Sequence, residues 1–251
     1  MKKKLIITAA GGNATALEII NLPLSRLRYQ NAGDEMLTQF QAFSVEQSGF
    51  IISSENRLEM SGGEFCGNAS RAAALIFSEL NGKREINFRV SGFNGLVKGS
   101  VDKMGGNKFN VSCLFPRFSI KISNVIVGGE NAKLVDLGGI AHVILEGNLP
   151  ENYKIRHREI VNELELNNRD AVGVIWARRS PLNAIIDPIV WVKAVDTFFY
   201  ESSCGSGSIA AAKTFGCPEI IQPTGQPIFV NFFPNQDCQL TSEMEVINEI
   251  D

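Results

Sequence analysis

The sequence predicts an α+β protein of two pseudo-symmetric domains, each a sheet wrapped around one central helix. The first observation is an internal repeat: residues 66–74 read CGNASRAAA and residues 204–212 read CGSGSIAAA, so six of nine positions agree. The second is that strand patterns are many and helical patterns few in both halves, which is typical of α+β architectures. The third is the length of 251 residues, which fits two domains of ordinary size.

Short strand patterns run along the whole chain. In the first half, alternating or continuous apolar segments predict strands at 5–8, 50–52, 86–90, 96–101 and 108–111. In the second half, the same signals lie at 120–127, 133–137, 142–145, 171–176, 189–195 and 228–233. Pairs of glycines, which favour turns, separate several of these segments.

Helical patterns are fewer and lie at 35–43, 69–80, 156–166 and 208–215. Two of them follow directly after Cys66 and Cys204 and contain alanine runs, which favour helix. Each cysteine is therefore expected at the N-terminal end of the central helix of its half, with Arg71 covering a face of the first helix. A boundary near Pro116 gives domains 1–116 and 117–251, with the option that the last strand of the second packs back on the first.

The composition is that of an ordinary globular protein, with 44% hydrophobic residues, 20% charged residues and a formal net charge of −3. Lys/Arg-rich sequence occurs only at 2–4, which argues against a nucleic-acid-binding surface. No run of 18 apolar residues predicts a membrane span, and the apolar stretch at 5–10 is too short for a secretory signal. A cytoplasmic location without nucleic-acid or membrane partners is the expectation.

Five widely spaced cysteines, no CxxC pair and only two histidines predict that the chain holds no metal site. Cys113, Cys217 and Cys238 are expected to be buried free thiols. Cys66 and Cys204 differ from these three because glycine, serine and asparagine surround them.

A cysteine at a helix N-terminus is suited to acid–base chemistry. The unpaired N–H groups and the positive end of the helix dipole favour the thiolate, so the thiol pKa is expected to fall towards neutrality. The same N–H groups can bind a carboxylate. Gly67 and Gly205 let the backbone approach a ligand closely, and Asn68 and Ser206 add little bulk there.

Two such helix ends facing each other would place one sulfur on each side of a bound anion. One thiolate could then remove the proton from a carbon next to a carboxylate while the opposing thiol returns one to the other face. Helix N–H groups aimed at the carboxylate oxygens would stabilise the negative charge that develops there. This chemistry inverts a stereocentre without a cofactor.

The residues around both cysteines resemble the paired cysteine motifs of diaminopimelate epimerase and its relatives. The first motif here is Glu-Phe-Cys-Gly-Asn-Ala-Ser-Arg at 64–71, and the second is Ser-Cys-Gly-Ser-Gly at 203–207. An early Gly-Asn at 12–13 is similar to one whose Asn contacts substrate, which implies that Asn13 binds substrate. The resemblance covers essentially the whole chain. It implies the diaminopimelate epimerase-like fold, catalytic Cys66 and Cys204, no cofactor, and a homodimer as one option for assembly.

The chain departs from diaminopimelate epimerase where that enzyme carries Asn-Ala-Asp-Gly and Glu-Arg-Gly before its two cysteines. Here the stretches are MSGGEF at 60–65 and FFYESS at 198–203, which lack the Arg that helps to hold a distal carboxylate. These departures resemble the cofactor-independent histidine racemases, which share Met-Ser-Gly-x-Glu-Phe-Cys-Gly-Asn-Ala, Glu-x-Ser-Cys-Gly-Ser-Gly and Glu-Gln-x-Gly-Phe (46–50 here). That branch supplies D-histidine for opine-type metallophores in some bacteria.

Within this resemblance, acidic residues suit recognition of an imidazole N–H or an ammonium group. Glu46 is therefore interpreted as the reader of the substrate side chain and Glu201 as an acid of the substrate pocket. The substrate-binding set is completed by Asn13, Gly67, Asn68, Gly205 and Ser206.

Other functions remain open at the level of sequence. Diaminopimelate epimerase is the alternative among enzymes, and a proline-racemase type of isomerase is less well matched by the flanking motifs. A thiol-redox protein using a Cys66–Cys204 disulfide and a non-catalytic amino-acid-binding module are alternatives from other classes.

Overall fold

The structure, a computed structural model, describes residues 3–250; Met1, Lys2 and Asp251, at the ends of the two predicted domains, lie outside the described residues. The α-helices are α1 (Arg26–Gln39), α2 (Gly67–Asn81), α3 (Tyr153–Glu163) and α4 (Gly205–Phe215). The strands are β1 (Lys4–Ala9), β2 (Gly12–Ile20), β3 (Val45–Ile52), β4 (Arg57–Met60), β5 (Glu85–Val90), β6 (Val97–Gly105), β7 (Lys108–Phe115), β8 (Lys121–Val127), β9 (Glu130–Asp136), β10 (Ala141–Glu146), β11 (Ala171–Arg179), β12 (Asn183–Val192), β13 (Thr197–Tyr200), β14 (Glu219–Ile221), β15 (Pro227–Phe232) and β16 (Cys238–Ile250).

The first part of the sheet closes on itself. Strands β1 to β7 follow one another in order, β16 pairs antiparallel with β7, and the far end of β16 pairs antiparallel with β1. The 13-residue β16 can reach both neighbours because its first half faces β7 and its second half faces β1.

Helix α2 lies inside this ring and contacts every strand of it. Its residues from Gly67 to Phe77 are all buried, which explains the run of alanines: small side chains let the strands approach the helix from all sides. The helix ends at Gly82, whose φ of 60° is the left-handed conformation that favours glycine at this position.

The second part of the sheet is open and runs from β15 through β14, β12, β11, β10 and β9 to β8, with β13 added beside β12. Helix α4 packs against its central strands. One apolar core joins both parts and includes residues of α2 and α4, whereas α1 and α3 cover separate apolar clusters on the outside. Among the described residues, no α-helix combines the length and the apolarity that crossing a bilayer requires.

The predicted combination of many strands with four helices is confirmed. In place of the two predicted sheets, the described strands form one 16-stranded sheet, and individual elements also need correction. The helix predicted at 35–43 begins at Arg26 and ends at Gln39. The strand predicted at 189–195 ends at Val192, where a short 3₁₀ turn follows. Strands β2, β4, β13, β14 and β16 have no predicted counterpart. Strand β2 is buried on both faces, so the alternation that marks a half-buried strand is missing there.

Candidate active site

Cys66 and Cys204 occupy the same position at the starts of α2 and α4. Each is the N-cap residue with an extended backbone, and its sulfur accepts a hydrogen bond from the backbone N–H three residues on: Ala69 at 3.3 Å and Gly207 at 3.2 Å. A serine one turn into each helix donates to the cysteine carbonyl, Ser70 at 2.7 Å and Ser208 at 2.6 Å. The two sulfurs thus cap the helices in the way that serine or aspartate oxygens cap most helix N-termini.

The two helix starts approach each other at a pair of glycines. A Cβ added to Gly67 would lie 3.1 Å from the backbone of Gly205, and a Cβ added to Gly205 would lie 3.0 Å from the backbone of Gly67. These distances are too short for a side chain against main chain that cannot rotate away. Glycine at both positions is therefore what lets the two N-termini meet.

Cys66 and Cys204 both line one narrow cavity of about 20 Å³, which is enough for one water molecule. In this structure the space between the two cysteines is therefore too small for an amino acid, and the site is closed. The cavity is lined by Gln47, Glu64, Phe65, Cys66, Gly67, Asn68, Ile140, Val190, Val192, Glu201, Cys204, Gly205 and Ser206.

Two hydrogen bonds lead from the Cys66 thiol to the Glu201 carboxylate. Cys66 Sγ donates to Gln47 Oε1 at 2.8 Å, and Gln47 Nε2 donates to Glu201 Oε1 at 2.6 Å. The Cys204 sulfur instead lies 3.6 Å from Ser206 Oγ. Gln47, on β3, thus links the Cys66 thiol to the Glu201 carboxylate.

Three carboxyl groups stand at or beside the cavity. Burial raises the pKa of Glu64 to about 7 and that of Glu46 to about 7. Burial, followed by the charge of Glu46, raises the pKa of Glu201 to about 8. One oxygen each of Glu46 and Glu64 is buried without a hydrogen-bond partner. These unused acceptors fit a ligand that brings N–H donors or positive charge.

The expected fall of the thiol pKa is not what this closed structure gives. Burial raises the pKa of both Cys66 and Cys204, and the helix N–H groups of Ala69 and Gly207 oppose that rise without outweighing it. The charge of Glu201 adds to the rise at both sulfurs. Desolvation dominates because both cysteines are buried.

An amide network holds the two helix starts together. Asn68 Nδ2 donates to the carbonyl of Ser203 at 2.8 Å, and Asn13 Nδ2 donates to the same carbonyl at 2.7 Å. Asn68 Oδ1 accepts a bond from Arg71 at 2.6 Å. Arg71 is fully buried, which corrects its interpretation as cover for a helix face: the ring of strands leaves α2 no exposed face at this level.

The start of α4 is supported by neutral groups. His142 Nε2 and Ser206 Oγ lie 2.9 Å apart, and the ring of His142 fits because Gly173 has no side chain. Burial lowers the pKa of His142 to about 3, so its ring is uncharged. Gln222 Oε1 accepts a bond from the Cys204 N–H at 2.8 Å.

Most predicted site residues come together and two do not line the cavity between the sulfurs. Glu46 lines an adjoining cavity that shares Gln47, Glu64 and Glu201 with the first, and it accepts a bond from Ser202 at 2.7 Å. Asn13 is buried behind Ser203.

Sequence reasoning assigned no role to Gln47 or Glu64, although both lie within quoted motifs. Residues 3–250 contain no group of three or more His, Cys, Asp or Glu side chains that could hold a metal ion.

The chain is similar to known proteins over most of its length. A family model described as "Histidine racemase CntK N-terminal domain" matches residues 9–224. Two histidine racemases of Fusobacterium nucleatum subsp. nucleatum strains are 29% and 30% identical to the chain. The alignments cover 95% of this chain and 92% and 91% of theirs.

Solved structures with similar folds have far lower sequence identity. A predicted epimerase from Pseudomonas aeruginosa matches with a TM-score of 0.65 and 11% identity, covering 100% of this chain and 99% of that one. A phenazine-biosynthesis protein of the PhzF family from Enterococcus faecalis matches with a TM-score of 0.57 and 11% identity, covering 99% and 97%. At this identity the likeness concerns the fold alone.

Proposed function

The chain belongs to the histidine racemase family, and on that premise we propose that it interconverts L-histidine and D-histidine by proton transfer at two cysteines. As a member of that family it is an amino-acid racemase, an isomerase. The observation that carries the proposed mechanism is that Cys66 and Cys204, each at the start of a helix, line one cavity.

In the proposed reaction one thiolate takes the proton from the α-carbon of the substrate. The Cα–H bond breaks, its electron pair moves towards the carboxylate to give an ene-diolate, and a new S–H bond forms. The opposing thiol then gives its proton to the other face of the carbon and becomes the thiolate. Atoms and charge balance, and the two sulfurs exchange roles with each turnover.

The substrate carboxylate is assigned to the meeting point of the two helices. Gly67 and Asn68 begin α2, and Gly205 and Ser206 begin α4; all four line the cavity. First-turn N–H groups have no acceptor within their own helix, so they can donate to the carboxylate and stabilise the ene-diolate. Asn13 supports this cradle through the shared bond to Ser203 rather than by touching the substrate.

The acidic groups are assigned to the cationic and N–H groups of the substrate. Glu201 lies beside both sulfurs and suits the α-ammonium, whereas Glu46 lines the adjoining cavity and suits the imidazole N–H. Glu64 borders both cavities and adds an unused oxygen. A positively charged substrate would lower the raised pKa values of these carboxyls and so be bound more tightly.

The test is hydrogen exchange at the α-carbon in deuterated water, read by NMR with no added cofactor, for L-histidine, the other L-amino acids and LL-diaminopimelate. We expect exchange and racemisation with L-histidine. Cys66→Ser and Cys204→Ser should each abolish racemisation, and the matched control Cys217→Ser, a buried thiol remote from the cavity, should not. Exchange with LL-diaminopimelate alone would reassign the substrate, and racemisation at a rate near that of the wild type in either serine variant would refute the two-thiol mechanism.

The resemblance extends the proposal beyond the site. We propose that D-histidine from this enzyme enters opine-type metallophore synthesis, and that the enzyme is a cytoplasmic homodimer of two pseudo-symmetric domains, 1–116 and 117–251, with the diaminopimelate epimerase-like fold. A search for a D-histidine-containing metallophore in metal-starved cells tests the first part. Light scattering of the purified protein tests the assembly.

A further inference from the structure

Arg71 is a buried cation with one hydrogen bond and no paired carboxylate among the described residues. Its side chain has no exposed surface and makes one hydrogen bond, from Nη2 to Asn68 Oδ1, while Nε and Nη1 have no partner. No carboxylate within residues 3–250 forms an ion pair with it. A buried charge without a counter-charge is costly, so a guanidinium in this place calls for a compensating anion.

The titratable groups that interact with the Arg71 charge are thiols. The strongest interaction is with Cys113, a fully buried thiol of β7, followed by Cys66 and Cys204, which line the cavity. The charges of Glu201 and Glu64 both oppose ionisation of the Cys66 sulfur. Arg71 is therefore a buried positive charge that can balance a thiolate here.

Arg71 also determines how the Asn68 amide is oriented. A guanidinium can only donate hydrogen bonds, so the group of Asn68 that faces it must be the oxygen. The amide nitrogen then points to the Ser203 carbonyl, at 2.8 Å, and links the start of α2 to the residue before Cys204.

The corresponding position of α4 carries no charge. In the repeat, Arg71 aligns with Ile209, which is also fully buried. Helix packing therefore does not require arginine at this position.

We propose that Arg71 is a positioning residue that supplies a positive charge balancing the thiolate of the two-sulfur centre and that holds the Asn68 amide against Ser203. This inference rests on the proposed function, because that mechanism requires one thiolate and one thiol. Arg71 belongs to α2 and does not line the cavity.

The experiment measures thiolate formation directly. The ultraviolet absorbance of thiolate is followed against pH in the full-length, unliganded protein, and subtraction of the Cys66→Ser and Cys204→Ser curves assigns each sulfur. Arg71→Met removes the charge at similar length, Arg71→Lys keeps it, and Ile209→Met is the matched control at the equivalent position of α4. Arg71→Gln is a second neutral variant if Arg71→Met does not fold.

We expect the neutral variants to form the cavity thiolate at a pH about 1–3 units higher than the wild type, and Arg71→Lys to stay near it. Ile209→Met should not move the curve, and the acid limb of the kcat/KM profile should shift with the thiolate in the neutral variants. An unchanged curve in them, or no thiolate in the wild type while it stays folded, would overturn the role of Arg71. Because absorbance needs no substrate, its result stands apart from a failure of racemisation.

Discussion

The starts of α2 and α4 are built alike and supported differently. Both have a cysteine N-cap, a glycine at the meeting point and a serine bonded to the cysteine carbonyl. Helix α2 itself carries Asn68 and the buried cation Arg71, whereas the start of α4 is bonded to neutral groups of other segments, His142 and Gln222.

The difference shows that the shared features and the differing ones serve separate needs. The shared cysteine, glycine and serine place a thiol at the wall of the cavity, with free N–H groups beside it. What differs sets the electrostatic surroundings of each sulfur. The two faces of a substrate held between the sulfurs would therefore not be chemically equivalent.

The largest expected effect comes from removing one sulfur at a time. Cys66→Ser and Cys204→Ser should each lower racemisation by 10³-fold or more, an order of magnitude typical for loss of a catalytic group. Each variant should still exchange the α-hydrogen of one enantiomer of histidine, because the remaining thiolate faces only one side of the carbon. NMR of D- and L-histidine in deuterated water would show opposite preferences. Equal exchange of both enantiomers in one variant would contradict the opposed arrangement.

The repeated cysteines were predictable because a helix start is encoded locally. Glycine, serine and the alanine runs identify both helices and put Cys66 and Cys204 at their ends. Gln47 was not predictable in its role because it joins Cys66 and Glu201 across 19 and 154 residues of sequence, which only the sheet topology brings together. The burial of Arg71 likewise follows from closure of the ring by β16, a long-range pairing.

One added methyl group should disrupt the close approach of Gly67 and Gly205 at the two helix starts. Gly205→Ala places a Cβ about 3.0 Å from Gly67 backbone, so the helix starts must separate by a few tenths of an ångström. We expect kcat/KM to fall about 10²-fold, as for small misplacements of catalytic groups, with a loss of about 1–3 kcal/mol in stability. Gly129→Ala, in an open turn with no atom near its Cβ, is a control for steric contact, although its φ of 81° adds strain of its own. Unchanged kcat/KM in Gly205→Ala would mean that close approach is not needed.

The raised carboxyl pKa values predict how stability depends on pH. Glu46, Glu64 and Glu201 have pKa values of about 7, 7 and 8 when folded, against 4.5 for the unperturbed group. Their contribution to stability is complete below pH 4.5 and is lost as the pH rises through 7 to 8, because the unfolded chain releases these protons first. The free energy of unfolding of the unliganded protein should therefore fall between about pH 4.5 and pH 8.

Glu201→Gln should make this pH dependence shallower. The amide keeps the size of the side chain and cannot ionise, so we expect the variant to gain about 1–3 kcal/mol relative to the wild type at pH 8 compared with pH 5. Urea unfolding at several pH values measures this, with Glu130→Gln, an exposed carboxyl, as the control. A slope equal to that of the wild type would show that Glu201 is already ionised in the unliganded site.

The smallest expected effect is a difference in stability between two variants that each remove a serine hydrogen bond at one helix start. Ser70→Ala removes only the bond to the Cys66 carbonyl, whereas Ser208→Ala removes the equivalent bond to Cys204 and also the acceptor for Gln222 Nε2 at 2.9 Å. Net hydrogen bonds contribute about 0.5–1.5 kcal/mol, and Gln222 keeps a second acceptor in the Ile220 carbonyl. Ser208→Ala should therefore destabilise the protein by about 1 kcal/mol more than Ser70→Ala in urea unfolding. Equal losses would mean that the Gln222 bond contributes nothing, and that the start of α4 is held by the Gln222 bond to the Cys204 N–H and by His142 alone.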